Sequence, residues 1–156
     1  MNYILAVAFG IGIVAGLRSF TAPAVVSWAA HLGWLNLQGS PLAFIGSTAA
    51  VAIFSLLAMV EYVGDMLPKT PKRTAAFPLT ARIVMGGLAG ACVCASANQP
   101  LLVGIVLGGT GGLIGAFAGY EIRKRVVSSL NIKDAFIALA EDLVAIGAAV
   151  FLVLPR

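Results

Sequence analysis

The sequence predicts an all-α integral membrane protein with four transmembrane helices preceded by a broken apolar segment. Hydrophobic residues make up 60% of the 156 positions, well above the roughly 45–50% of soluble domains, and the mean hydropathy is +1.01. Only 10% of the residues are charged. The apolar runs are continuous and close to the about 20 residues that cross hydrocarbon, whereas a membrane β-barrel would alternate. Nothing resembles a soluble appendage or a long linker, so residues 1–156 read as a single polytopic membrane domain.

The first segment is the hardest to place. Residues 3–17 and 22–35 are apolar, joined by Arg18-Ser19-Phe20-Thr21 and Pro23. One straight helix through both would be about 48 Å long, too long for the hydrocarbon, and each half alone is short for a span. Two arrangements follow. In one, the first half crosses, the N-terminus lies inside, and residues 22–35 rest in the outer interface with Trp28, His31 and Trp34. In the other, the segment is a re-entrant hairpin that turns at residues 18–23, which requires a protein or water environment for the broken backbone. The opening residues lack a basic n-region and are read as retained.

Four spans follow, over residues 41–64, 79–97, 101–120 and 135–154. Loop 66–78 carries Lys69, Lys72 and Arg73, and loop 121–133 carries Arg123, Lys124, Arg125 and Lys133, while the Asn98-Gln99-Pro100 turn carries no charge. The positive-inside rule then places both basic loops in the cytoplasm of a bacterial inner membrane and the C-terminus outside. The net charge of +4 is explained by these loops, so no nucleic-acid partner is expected. Cys92 and Cys94 sit in an apolar helix with no His or further Cys beside them and read as packing residues. No cofactor, metal site or enzymatic activity is expected, and nothing matches a Ser-His-Asp arrangement.

Gly104, Gly108, Gly112, Gly115 and Gly119 clear one helix for close backbone approach. The simplest use is helix packing within the chain, and a homodimer seam is the other. Gly10-x-Gly12-x-x-x-Gly16-Leu17-Arg18 is echoed by Gly112, Gly115, Gly119 and Arg123, and Ala43-Phe44-Ile45 by Ala135-Phe136-Ile137. With the N-terminus inside, these copies would form an inverted repeat of the kind found in transporters.

Intramembrane ionisable groups are costly and mark candidate sites. Glu61 and Asp65 are spaced i, i+4 on one helix face, and Glu141, Asp142 and Arg82 lie at similar depth in other spans. Such a set can bind a cation, relay protons or, with the arginine, fix an anion. It can equally be a group of salt bridges that settles polar side chains near an interface. Arg18, Ser19 and Thr21 add a cation, hydroxyls and a helix break whose amides can face an anion, and a re-entrant segment would carry them to the acidic cluster.

In Gly16-Leu17-Arg18-Ser19-Phe20-Thr21-x-Pro23, Glu61-x-x-x-Asp65-x-x-Pro68 and Arg82 the chain resembles a bacterial family of small multi-pass membrane proteins, domain of unknown function 4126. A usual arginine–proline pair is absent, because Ile83 follows Arg82. The resemblance implies a membrane-embedded helical domain and points again to Arg18, Glu61, Asp65 and Arg82, without a substrate. Together these readings predict a small transporter or permease in the lipid bilayer, a homo-oligomer, moving an ion or a small anionic or lipid-phosphate solute. The alternatives are a non-transporting scaffold or assembly partner, and an intramembrane enzyme that holds Mg²⁺ on the acid cluster to act on lipid headgroups.

Overall fold

A computed structural model describes residues 2–67, 75–130 and 134–155. Pro68, Lys69, Lys72, Arg73 and Lys133 lie outside the described residues. Among those described, the chain forms six α-helices and one 3-10 turn, with no strand: α1 (Asn2–Leu17), α2 (Thr21–His31), the 3-10 turn Ala43–Gly46, α3 (Thr48–Asp65), α4 (Ala76–Ser96), α5 (Leu101–Leu130) and α6 (Asp134–Val153). The last four are long and apolar enough to cross a membrane, while the N-terminal apolar helix Tyr3–Leu17 is shorter.

The N-terminal segment is a hairpin. Tyr3, Trp34, Ala97 and Pro155 border one cavity, so the start of α1 and the chain just past α2 lie together with the far ends of α4 and α6. Residues 18–20 form the tip at the opposite end. The sixteen residues of α1 reach about 24 Å at 1.5 Å per residue, short of a hydrocarbon core of about 30 Å. α2 then returns antiparallel to α3, with Thr21 beside Tyr62 and Trp28 Nε1 donating to Ser55 Oγ at 3.1 Å. Pro23 fits within the first turn of α2, where backbone N–H groups have no partner inside the helix.

Glycine makes the centre possible. α1, α4 and α5 pack most extensively on one another. A Cβ on Gly12 would overlap the Gly108 carbonyl, one on Gly16 that of Gly112, and one on Gly108 that of Gly86. Gly104 meets Gly90, and Gly115 meets the Ile13 carbonyl. The glycine row of α5 is therefore taken up by helices of the same chain on two sides. These contacts run in step along α1 and α5, so the two helices are parallel. The crossing arrangement for the first half, and the inverted repeat that depended on it, give way to the hairpin. The Ala-Phe-Ile echo does not hold either, since Ala43–Gly46 is a 3-10 turn and Ala135–Ile137 is α-helical.

Other boundaries move for local reasons. α3 starts late because Ser47 caps it, its hydroxyl accepting from Ala50 N–H at 3.1 Å. α4 starts early because Pro78 sits in its first turn. At its far end Asn98 takes φ +55°, Gln99 N–H donates to Cys94 O at 2.8 Å, and Pro100 stops the helix. The expected loop 121–133 is helical as far as Leu130, so Arg123, Lys124 and Arg125 ride on an extension of α5. Hydropathy marks the hydrocarbon limit of a helix, not its hydrogen-bonded limit. α3 turns Ile53, Leu56, Val60 and Val63 outward, as a helix facing lipid does. Cys92 and Cys94 are buried thiols, consistent with packing roles.

Three outcomes test this fold. Gly12→Val should cost at least about 1–3 kcal/mol and lower the melting temperature in detergent, because backbone cannot yield. Gly147→Ala, where a Cβ meets nothing within 4 Å, should raise stability by up to about 1 kcal/mol. In a Cys92→Ala/Cys94→Ala background, single cysteines at Tyr3 and Asn98 should react with an impermeant maleimide from the same side of the membrane. Labelling from opposite sides would refute the hairpin.

Candidate functional site

The hairpin tip brings Arg18 into a buried polar cluster. Leu17 ends α1, and the chain then runs through residues 18–20 before α2 begins. Arg18 is 0% exposed. Its guanidinium pairs with Asp65 at the end of α3 through Nη1 and with Asp142 of α6 through Nε. Nη2 donates to the Ala138 carbonyl at 3.4 Å, and Cζ lies 5.7 Å from the Tyr62 ring centroid. A buried guanidinium needs several acceptors, and these come from helices far apart in sequence.

Glu61 occupies the start of α2. Ser19 N–H donates to Oε1 at 2.8 Å and Phe20 N–H to Oε2 at 3.0 Å. No side chain of α2 itself caps this end. The Glu61 carboxylate thus sits where the positive end of the helix dipole and its open amides favour an anion. Arg82, 3% exposed, stands on the other side with Nη2 3.7 Å from Glu61 Oε1, and its Nη1 donates to Pro78 O at 3.4 Å. Thr21 and Tyr62 share a hydroxyl hydrogen bond of 2.7 Å beside it.

The sequence-derived set is therefore mostly gathered. Arg18, Glu61, Asp65, Arg82 and Asp142 meet, joined by Thr21 and by Ser19, whose contribution is its amide. Glu141 goes elsewhere: its carboxylate faces α5 and lies 3.7 Å from Arg123 Nη1. Neighbouring positions on a helix do not share a face, which separates Glu141 from Asp142. Gly104, Gly108, Gly112 and Gly115 lie against the backbones of α1 and α4, whereas Gly119 borders an opening between α5 and α6.

Two participants escaped the sequence reading. Tyr62 lies three residues before Asp65 on the same helix face, and that spacing was the available signal. Arg123 looked like a loop charge and is instead a helical partner of Glu141. His31 lies at the other end, exposed, with Nδ1 3.0 Å from Gly46 O and its ring edge-on to Trp28. It borders a cavity of about 550 Å³ with Asn36, Gln38 and Ser47. Among the described residues, no group of three or more His, Cys, Asp or Glu could hold a metal.

The family model described as Domain of unknown function (DUF4126) matches residues 5–155. No curated protein and no solved structure matches the chain.

Removing Arg18 would take from Asp65 and Asp142 the cation they share. Arg18→Gln is expected to lose about 3–5 kcal/mol, read as a fall in melting temperature. Adding Asp65→Asn and Asp142→Asn should recover a substantial part of that loss. A mutant as stable as the parent would show that the buried pairs do not hold the hairpin.

Proposed function

Because the chain belongs to the DUF4126 family, whose description assigns no activity, its own geometry must carry the reading, and we propose a small permease that moves an anion together with a proton. The observation that carries it is the Glu61 carboxylate, seated on two backbone amides at the start of α2 and beside Arg82. Such a seat suits any small carboxylate or phosphate oxygen. In the resting arrangement the protein's own carboxylate fills it.

Two guanidinium groups, Arg18 and Arg82, face three carboxylates, Glu61, Asp65 and Asp142. These are the charged groups of the cluster among the described residues, and intramembrane carboxylates of this kind serve as proton relays in transporters. Release of Glu61 from the α2 amides opens the seat to a solute anion. The tip of the hairpin, residues 18–20, is the element that moves, because polar contacts hold it while glycine contacts fix the shaft on α5. Broken or re-entrant helices with exposed amides are the usual sites of secondary transporters. In this reading the end holding Arg123 to Arg125 faces the cytoplasm of a bacterial inner membrane, following the positive-inside rule. A homodimer would use surfaces other than the α5 glycines.

A second reading is a scaffold in which the same contacts only join helices. It is favoured by the ion pairs of Arg18 with Asp65 and Asp142 and of Arg82 with Glu61. The two readings separate in proteoliposomes loaded with a pH-sensitive dye and offered a panel of monocarboxylates and inorganic phosphate. A permease should show anion-driven acidification that falls at least about tenfold in Glu61→Gln, equivalent to about 1.4 kcal/mol, with folding retained. Parent vesicles that stay silent toward the panel, with Glu61→Gln only lowering the melting temperature, would favour the scaffold.

A further inference from the structure

We propose that the groove between α5 and α6 seats an anionic phospholipid, with its phosphate at Arg123 and one acyl chain along the two helices. This does not depend on the permease reading. α6 lies against α1 and α2 and meets α5 over only a short stretch. The opening between them has a volume of about 270 Å³. Leu17, Gly119, Ile122, Ile137 and Val144 line it, with Arg123 and Glu141 among its walls. Gly119 supplies no side chain to the α5 wall, and Ile122 and Val144 are exposed on either side.

Chemistry and size select the occupant. An apolar groove open to hydrocarbon is not wetted, so lipid chains or another helix are the available fillers. Of the two, a single acyl chain is far narrower than a helix about 10 Å across and asks less room of an opening of about 270 Å³. Charge completes the match. Among the described side chains, Arg123, Lys124 and Arg125 occupy successive positions on α5 just beyond its most apolar stretch, with Glu121 and Glu141 nearby. A guanidinium engages a phosphate through two parallel hydrogen bonds. Glu141 orients Arg123 from the α6 side at 3.7 Å, so the phosphate approaches a cation already fixed at the groove. Arg125 pairs with Glu121 at 4.0 Å on the same helix, and both are largely exposed.

Native mass spectrometry of the full chain in detergent, titrated with phosphatidylglycerol or phosphatidylcholine of identical chains, tests the assignment. The parent should bind the first phosphatidylglycerol at least about tenfold more tightly than phosphatidylcholine. Arg123→Gln should abolish that preference, Arg125→Gln should keep it, and Ala140→Phe, which fills the groove, should reduce the first adduct of both lipids. If Arg123→Gln does not fold, Arg123→Lys and Ala140→Phe still decide the matter. Equal affinity for the two lipids, or a preference that survives both Arg123→Gln and Ala140→Phe, would overturn the proposal. A dimer that Ala140→Phe dissociates, without lipid adducts in the parent, would assign the groove to a second copy and overturn it as well.

Discussion

The burial of one guanidinium governs this fold. Arg18 lies at the tip of a hairpin that does not reach across the membrane, in a place where an unpaired charge would be expelled. It stays because Asp65 and Asp142 reach it from α3 and α6 and the Ala138 carbonyl takes a further donor. The same contact tethers α1, α3 and α6 at one level. Glu61, on the α2 amides, fixes the direction in which the chain leaves the tip. A salt bridge in this setting acts chiefly as a specification of geometry, because the cost of desolvating its members offsets much of their attraction.

The polar tip can occupy that depth only because the shaft packs closely. α1 lies directly on α5, with Gly12 and Gly16 against Gly108 and Gly112, and α4 lies on another side of α5 through Gly86 and Gly90. In lipid, helices gain little from hydrophobic exclusion and rely on dispersion at short range. The two devices are complementary. Glycine contacts set how near the helices come, and the charges at residues 18, 61, 65, 82 and 142 fix the polar tip against α3, α4 and α6.

Much of this was legible in the chain. Continuous apolar runs located α3 to α6, and the cost of intramembrane charge singled out Arg18, Glu61, Asp65, Arg82 and Asp142. The path of residues 3–35 was not legible, because two short apolar halves around Arg18 satisfy either a crossing or a hairpin. Only tertiary contacts separate the two. Glu141 was grouped with Asp142 by depth, although the 100° step of a helix points it to Arg123. The helical extension beyond Tyr120 was hidden for a related reason: Glu121, Arg123, Lys124 and Arg125 end the hydrophobic run without ending the helix. Tyr62 was overlooked because a tyrosine in an apolar span reads as packing until its hydroxyl finds Thr21.

The order in which the partners of Arg18 are made bears on how the protein is built. Asp65 follows Arg18 by 47 residues, and the α6 carbonyl that accepts from it, at Ala138, by 120 residues. A nascent chain leaving the ribosome therefore presents its cation long before the groups that neutralise it exist. On insertion scales an arginine at mid-membrane costs about 2.5–3.5 kcal/mol, which favours holding the first segment at the membrane surface or in the insertion machinery until α3 arrives. The hairpin tip thus gains its full set of partners only once α6 has been made.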